Sequence, residues 1–167
     1  EVIHGNHSVL PNSTLSQMVH TQLMKVGGVN YGPKERDFAA KIAASLGENA
    51  WKPGDESIIE PYREGATKGS TDVGDVSWNV PTAGLRTATF VPGTGLHTWQ
   101  AIAAGGTSLG HQGLLVAAKT LALSGVTLLK DPALVAAAKA EFDERRGADF
   151  HSQPLLGDRP PPLDYRR

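Results

Sequence analysis

A layered α/β domain is the fold this sequence predicts, and three observations predict it. Apolar residues recur at helical spacing in four separate stretches. Short glycine-punctuated pieces lie between them. One such piece, Arg86 to Val91 (RTATFV), has the β-branched and aromatic content of a strand. Helices bracketing short strands build layered α/β architectures. Only two or three strands can be read, few for a self-sufficient sheet, so the expectation is part of a larger fold.

Residues 1–10 (EVIHGNHSVL) alternate weakly through Val2, Ile3, Val9 and Leu10, and read as a lone strand or extended arm. Pro11-Asn12-Ser13 breaks that arm and offers capping side chains to a helix over 14–26. There Leu15, Met18, Val19, Leu23 and Val26 share one spacing, and Gly27-Gly28 ends it. Pro33 opens a second helix, whose stripe of Phe38, Ile42 and Leu46 stops at Gly47. The stretch 51–68, with Pro53-Gly54 and Pro61, reads as loop.

Thr107 or Ser108 caps a long helix running to about Leu129. Its apolar positions (Leu109, Leu114, Leu115, Val116, Leu121, Leu123) cover nearly the whole circumference, which predicts packing between other elements. Asp131-Pro132 starts a last helix through about Arg146, ended by Gly147. The tail from Phe150, with three prolines at 160–162, predicts an extended segment.

The 167 residues suit one domain, or one domain with a remnant of another. A net charge of -1 gives no electrostatic reason to expect nucleic acid or an anionic membrane surface. There are no cysteines, so disulfides and thiolate zinc sites are excluded. No apolar run approaches the roughly 18 to 20 residues that span a bilayer, and the N-terminus lacks a signal-peptide pattern. A cytoplasmic location is therefore expected. Because the first residue is Glu1 and strands are few, an upstream part of the protein is expected to be missing.

Two segments concentrate possible chemistry. In Gly69-Ser70-Thr71-Asp72-Val73-Gly74-Asp75, glycines flank hydroxyls and two carboxylates. The backbone there could approach a ligand and offer N–H groups to an anion. Equally, Ser, Thr and Asp could simply bond their own turn. The second is Pro92-Gly93-Thr94-Gly95-Leu96-His97-Thr98-Trp99, a loop histidine at the end of the best strand. Of the other histidines, His4 and His7 would sit on opposite faces of an extended arm, a poor chelate. His20 reads as solvated, His111 begins the long helix, and His151 belongs to the tail. Zinc needs three or four converging ligands, and no His-x-x-x-His or His-Glu-x-x-His spacing is present. A complete metal site cannot be read from this chain.

The run GSTDVGDVSWNVPTA (69–83), then GTGLHTWQ (93–100) and SLGHQGLLVAAK (108–119), resembles the p-aminobenzoyl-glutamate hydrolase-like zinc amidohydrolases. These belong to the aminoacylase and carboxypeptidase G-like metallopeptidases. LPNSTL (10–15), the helix around Phe38-Ala39 and DPAL at the last helix fit the same pattern, from about Leu10 to Pro162. The resemblance implies an α/β catalytic domain interrupted by a lid domain that often mediates dimers. It also implies a two-zinc site whose bridging water, activated by a glutamate, attacks an amide carbonyl.

Matched by motif, His97 is the last metal ligand, and Gly69, Ser70, Thr71 and Asp72 line the substrate pocket. Residues 1–11 become the last strand of the lid, and 12–167 the C-terminal half of the catalytic domain. Gly95-Leu96 stands before the histidine where Pro-Gly is frequent. The other ligands and the general-base glutamate lie upstream in the family, so no catalytic residue is assigned in this chain. The expectation is a fragment, inactive alone, of an enzyme that cleaves an N-acyl or aminobenzoyl amino acid. Its expected partners are the missing N-terminal half, a further copy of itself and a small amide substrate, with no nucleic acid or membrane. The contrasting expectations are a non-catalytic binding or assembly module, which would leave an apolar face on the long helix for a partner, and a small ligand-binding domain pocketed around Thr71 and His97.

Overall fold

The computed structural model describes residues 5–47, 51–65, 69, 71–151, 153, 157–158, 160 and 163. Its elements are α1 (Ser13–Val26), α2 (Pro33–Ala43), a 3-10 turn (Asp55–Ser57), α3 (Val73–Ser77), α4 (Trp99–Gly105), α5 (Ser108–Lys130) and α6 (Pro132–Arg146). No strand occurs among the described residues, so the α/β expectation is overturned: the described architecture is helical.

The reason is visible at each expected strand. Val2 and Ile3 of the first lie outside the described residues. Gly5 to Leu10 run without regular structure and bond to α3 in place of a neighbouring strand. Arg86 to Val91 lies over α5. The Thr87 hydroxyl donates to the Gly113 carbonyl at 2.9 Å, and a Cβ on Gly113 would stand 2.3 Å from the Ala88 carbonyl oxygen. β-Branched content reports fit to a packed surface, and here a helix supplies that surface. The proline-rich tail falls largely outside the described residues.

The four long helices stand where the spacing places them. Asn12, 2% exposed, caps α1 by accepting from Leu15 N at 3.0 Å, and its amide donates to the Ala138 carbonyl of α6 at 2.8 Å. Glu141 of α6 closes the same helix end, accepting from Ser13 N (2.7 Å) and Thr14 N (2.8 Å) while Arg145 Nε sits 2.9 Å away. Asp131 caps α6 through Leu134 N at 3.0 Å.

One core gathers Val29, Tyr31, Ala39, Ile42, Trp51, Val91, Ala104 and Leu109. Glu56 is buried beside it, and one carboxylate oxygen accepts from Trp51 Nε1 (2.8 Å) and Gly54 N (3.0 Å). Burial first, and the Glu56 charge second, push the Tyr31 hydroxyl well above the usual phenol range. A second core joins Leu15, Met18 and Val19 of α1 to Ala138 of α6.

The long helix α5 packs against α1, α4 and α6, but not all round. Leu109, Gly110, Gly113, Thr120 and Ser124 are buried, whereas Leu114, Leu115, Leu121, Leu123, Val126 and Leu129 face outward. The helix is thus packed between other elements on one side, and its outer face stays exposed among the described residues. By length and composition α5 could also cross a membrane, although polar and small residues interrupt its apolar runs.

Candidate functional site

The glycine-rich motif does not remain a loop. Asp72 stands at the N-cap position of α3 without a capping side-chain bond, and Val73 to Ser77 form one helical turn. Thr71 Oγ1 accepts from Val73 N at 3.3 Å, so part of the motif does bond its own turn. The rest holds the N-terminal arm. Asp75 Oδ1 accepts from His7 N and lies 2.9 Å from His7 Nδ1; Ser77 Oγ accepts from Leu10 N at 2.8 Å; Trp78 Nε1 donates to the Ser8 carbonyl at 2.8 Å. The arm runs so close that a Cβ on Gly74 would lie 1.8 Å from the His7 carbonyl oxygen, which is why glycine is needed there. Trp78 and Phe150 (centroids 4.5 Å apart) and His7 (5.9 Å from each) complete an aromatic cluster over this junction.

Gly69, Thr71 and Asp72 are exposed, and Ser70 lies outside the described residues. Gly69 and Thr71 line an open cleft of about 1540 Å³ together with His7, His20, Tyr62 and the Pro92-Gly93-Thr94 turn. Neither Asp72 nor His97 lines it. The cleft exceeds the several hundred Å³ of an ordinary small-molecule pocket.

His97 is exposed and has a φ of 61°, the sole positive φ at a non-glycine position among the described residues. That left-handed conformation is costly for a residue with a Cβ, and such outliers gather at functional loops. Thr98 follows as the N-cap of α4, its Oγ1 accepting from Ala101 N (3.3 Å) and donating to the Gly95 carbonyl (2.8 Å). The imidazole is thus carried on a turn locked to a helix start. Among the described residues no three His, Asp or Glu side chains group to hold a metal ion. One exposed imidazole does not make a zinc site.

Sequence reasoning missed two elements and one contact. Thr98 ahead of an alanine-rich run was a legible cap for α4. The five-residue α3, with glycine and serine inside it, carried no period long enough to read. The meeting of His7 with Asp75 spans 68 positions and had no local signal.

The chain is 33% identical, over 162 residues, to one subunit of p-aminobenzoyl-glutamate hydrolase from Escherichia coli (strain K12). The match takes in 82% of this chain and 34% of that protein, so the chain spans about a third of the length of the curated relative it matches. No family model matches the chain, and no solved structure does.

Proposed function

Because this chain belongs to the family of that p-aminobenzoyl-glutamate hydrolase, we propose that it is part of a metal-dependent amidohydrolase acting on an aminobenzoyl or N-acyl amino acid. The observation that carries this reading is identity spread over 82% of the chain. In this reading His97 donates one imidazole to a zinc centre whose remaining ligands and general base belong to portions of the longer relative that this chain does not span. Gly69, Ser70, Thr71 and Asp72 contact the substrate. The positive φ of His97 supports a ligand role. So does Thr94 Oγ1 in the same segment, a buried hydroxyl with no hydrogen bond among the described residues. A buried group left unsatisfied is what an incomplete site presents.

The test is hydrolysis of p-aminobenzoyl-glutamate by this chain alone and by this chain co-expressed with the remaining two thirds of the E. coli relative and with the other subunit of that hydrolase. The chain alone should be silent, and the combination should release glutamate. His97→Ala should lower the combined rate by about a hundredfold or more, as loss of a group acting with the reacting centre does. Hydrolysis by the chain alone, unaffected by His97→Ala, would end this reading. A second reading, an assembly module, is favoured by one observation: the apolar outer face of α5.

A further inference from the structure

The five-residue α3 is too short to hold itself. Isolated helices of fewer than roughly 12 residues are marginal in water, and α3 shares no extensive packing with another described helix. Its seat is the arm of residues 5–10. Asp75 Oδ1 accepts from His7 N at 2.9 Å and meets His7 Nδ1 at the same distance. Trp78 Nε1 donates to the Ser8 carbonyl at 2.8 Å. Ser77, fully buried, accepts from Leu10 N at 2.8 Å and donates onward to the Gly74 carbonyl at 2.6 Å. One hydroxyl thus joins the Leu10 amide to the body of α3.

The other end of the same short helix carries the residues given to the substrate in the proposed function. Asp75 N donates to the Asp72 carbonyl at 3.2 Å, and Val73 N donates to Thr71 Oγ1 at 3.3 Å. Asp75 therefore holds the arm with its carboxylate and Asp72 with its backbone. Asn6, His7 and Ser8 of the arm border the same cleft as Gly69 and Thr71. We infer that Asp75, Ser77 and Trp78 are positioning residues. By clamping the arm they fix the turn that presents Gly69, Ser70, Thr71 and Asp72 to the substrate, without touching it themselves. Preorganisation of this kind acts on binding before it acts on chemistry. The inference rests on the hydrolase reading for its ligand, while the coupling of arm to motif rests on bonds made inside this chain.

Two variants test it. Ser77→Ala removes the hydroxyl that joins Leu10 to Gly74, and Trp78→Phe removes the indole N–H but keeps an aromatic ring. In two-dimensional amide spectra of the 167-residue chain, the Gly69 and Thr71 signals should shift together with that of Leu10. The shifts should be largest in the double variant. Leu134, whose amide is capped by Asp131, is the folding control and should stay in place. In the co-expressed hydrolase each variant should raise KM for p-aminobenzoyl-glutamate about fivefold, the scale of one hydrogen bond, with kcat held within about twofold. A kcat that falls at unchanged KM would mark a merely structural role and overturn the inference. So would a Leu10 signal that shifts without Gly69 and Thr71, or one that does not shift at all. A wild-type combination that hydrolyses nothing sinks the hydrolase reading instead, and the spectra of the chain alone then decide the coupling.

Discussion

His97 and Asn12 show two ways in which one residue commits a backbone. At His97 the backbone adopts a left-handed φ of 61° at a residue that carries a Cβ. Glycine should suit the position better than alanine by about 1 kcal/mol. His97→Gly should therefore melt higher than His97→Ala, while both forfeit any ligand role; equal melting temperatures would mean that the turn is unstrained. Asn12 is the reverse case, a side chain using both of its polar ends. Asn12→Ala should cost about 2 to 3 kcal/mol, the cap together with the Ala138 carbonyl left buried. Asn12→Asp should recover only the cap, and denaturant titration of the two variants separates the terms. The capping role of Pro11-Asn12-Ser13 was legible because it is local. The bond to Ala138, 126 positions away, was not.

Between elements, side chains at helix ends carry the connections. Burial raises the Glu141 carboxyl, but hydrogen bonds from Thr14 and Ser13 outweigh it and bring it down to about 2, from an ordinary value of 4.5. A folded-state pKa below the unfolded one stabilises above the unfolded value, and that stabilisation fades as pH falls from about 4.5 towards 2. Glu141→Gln should lose about 2 kcal/mol at neutral pH, the scale of hydrogen bonds to a charged group. It should also show a flatter loss of stability in acid, which thermal melts across that window would detect.

The arm and α3 make a second such connection. Gly74→Ala puts a Cβ 1.8 Å from the His7 carbonyl oxygen, so the arm must lift, taking the Asp75, Ser77 and Trp78 bonds with it. Hydrogen exchange at Leu10 should then quicken severalfold and Trp78 fluorescence should change. Unaltered exchange would show that the arm is held from elsewhere. Strand content misled because β propensity measures the surface a segment rests on, and residues 86–91 rest on α5.

For the whole molecule, periodicity located the four long helices to within a few residues, since each buries a stripe and carries its own start and stop signals. It could not say which side of α5 would be covered, because apolar residues surround that helix and burial depends on what else is present. The same dependence governs the candidate site. Its motifs are plain in the sequence, yet Gly69 and Thr71 reach the cleft while Asp72 and His97 do not. The chain spans 34% of its relative, and a metal centre assembled across that relative would be legible here only in part, as in a histidine of left-handed φ three positions after a buried, unsatisfied threonine hydroxyl.

Native mass spectrometry of this chain co-purified with the remaining two thirds of the relative tests that assignment most directly. The expected result is a complex that carries metal and loses at least one ion when His97 is replaced by alanine. A complex with the same metal content in both forms would contradict it.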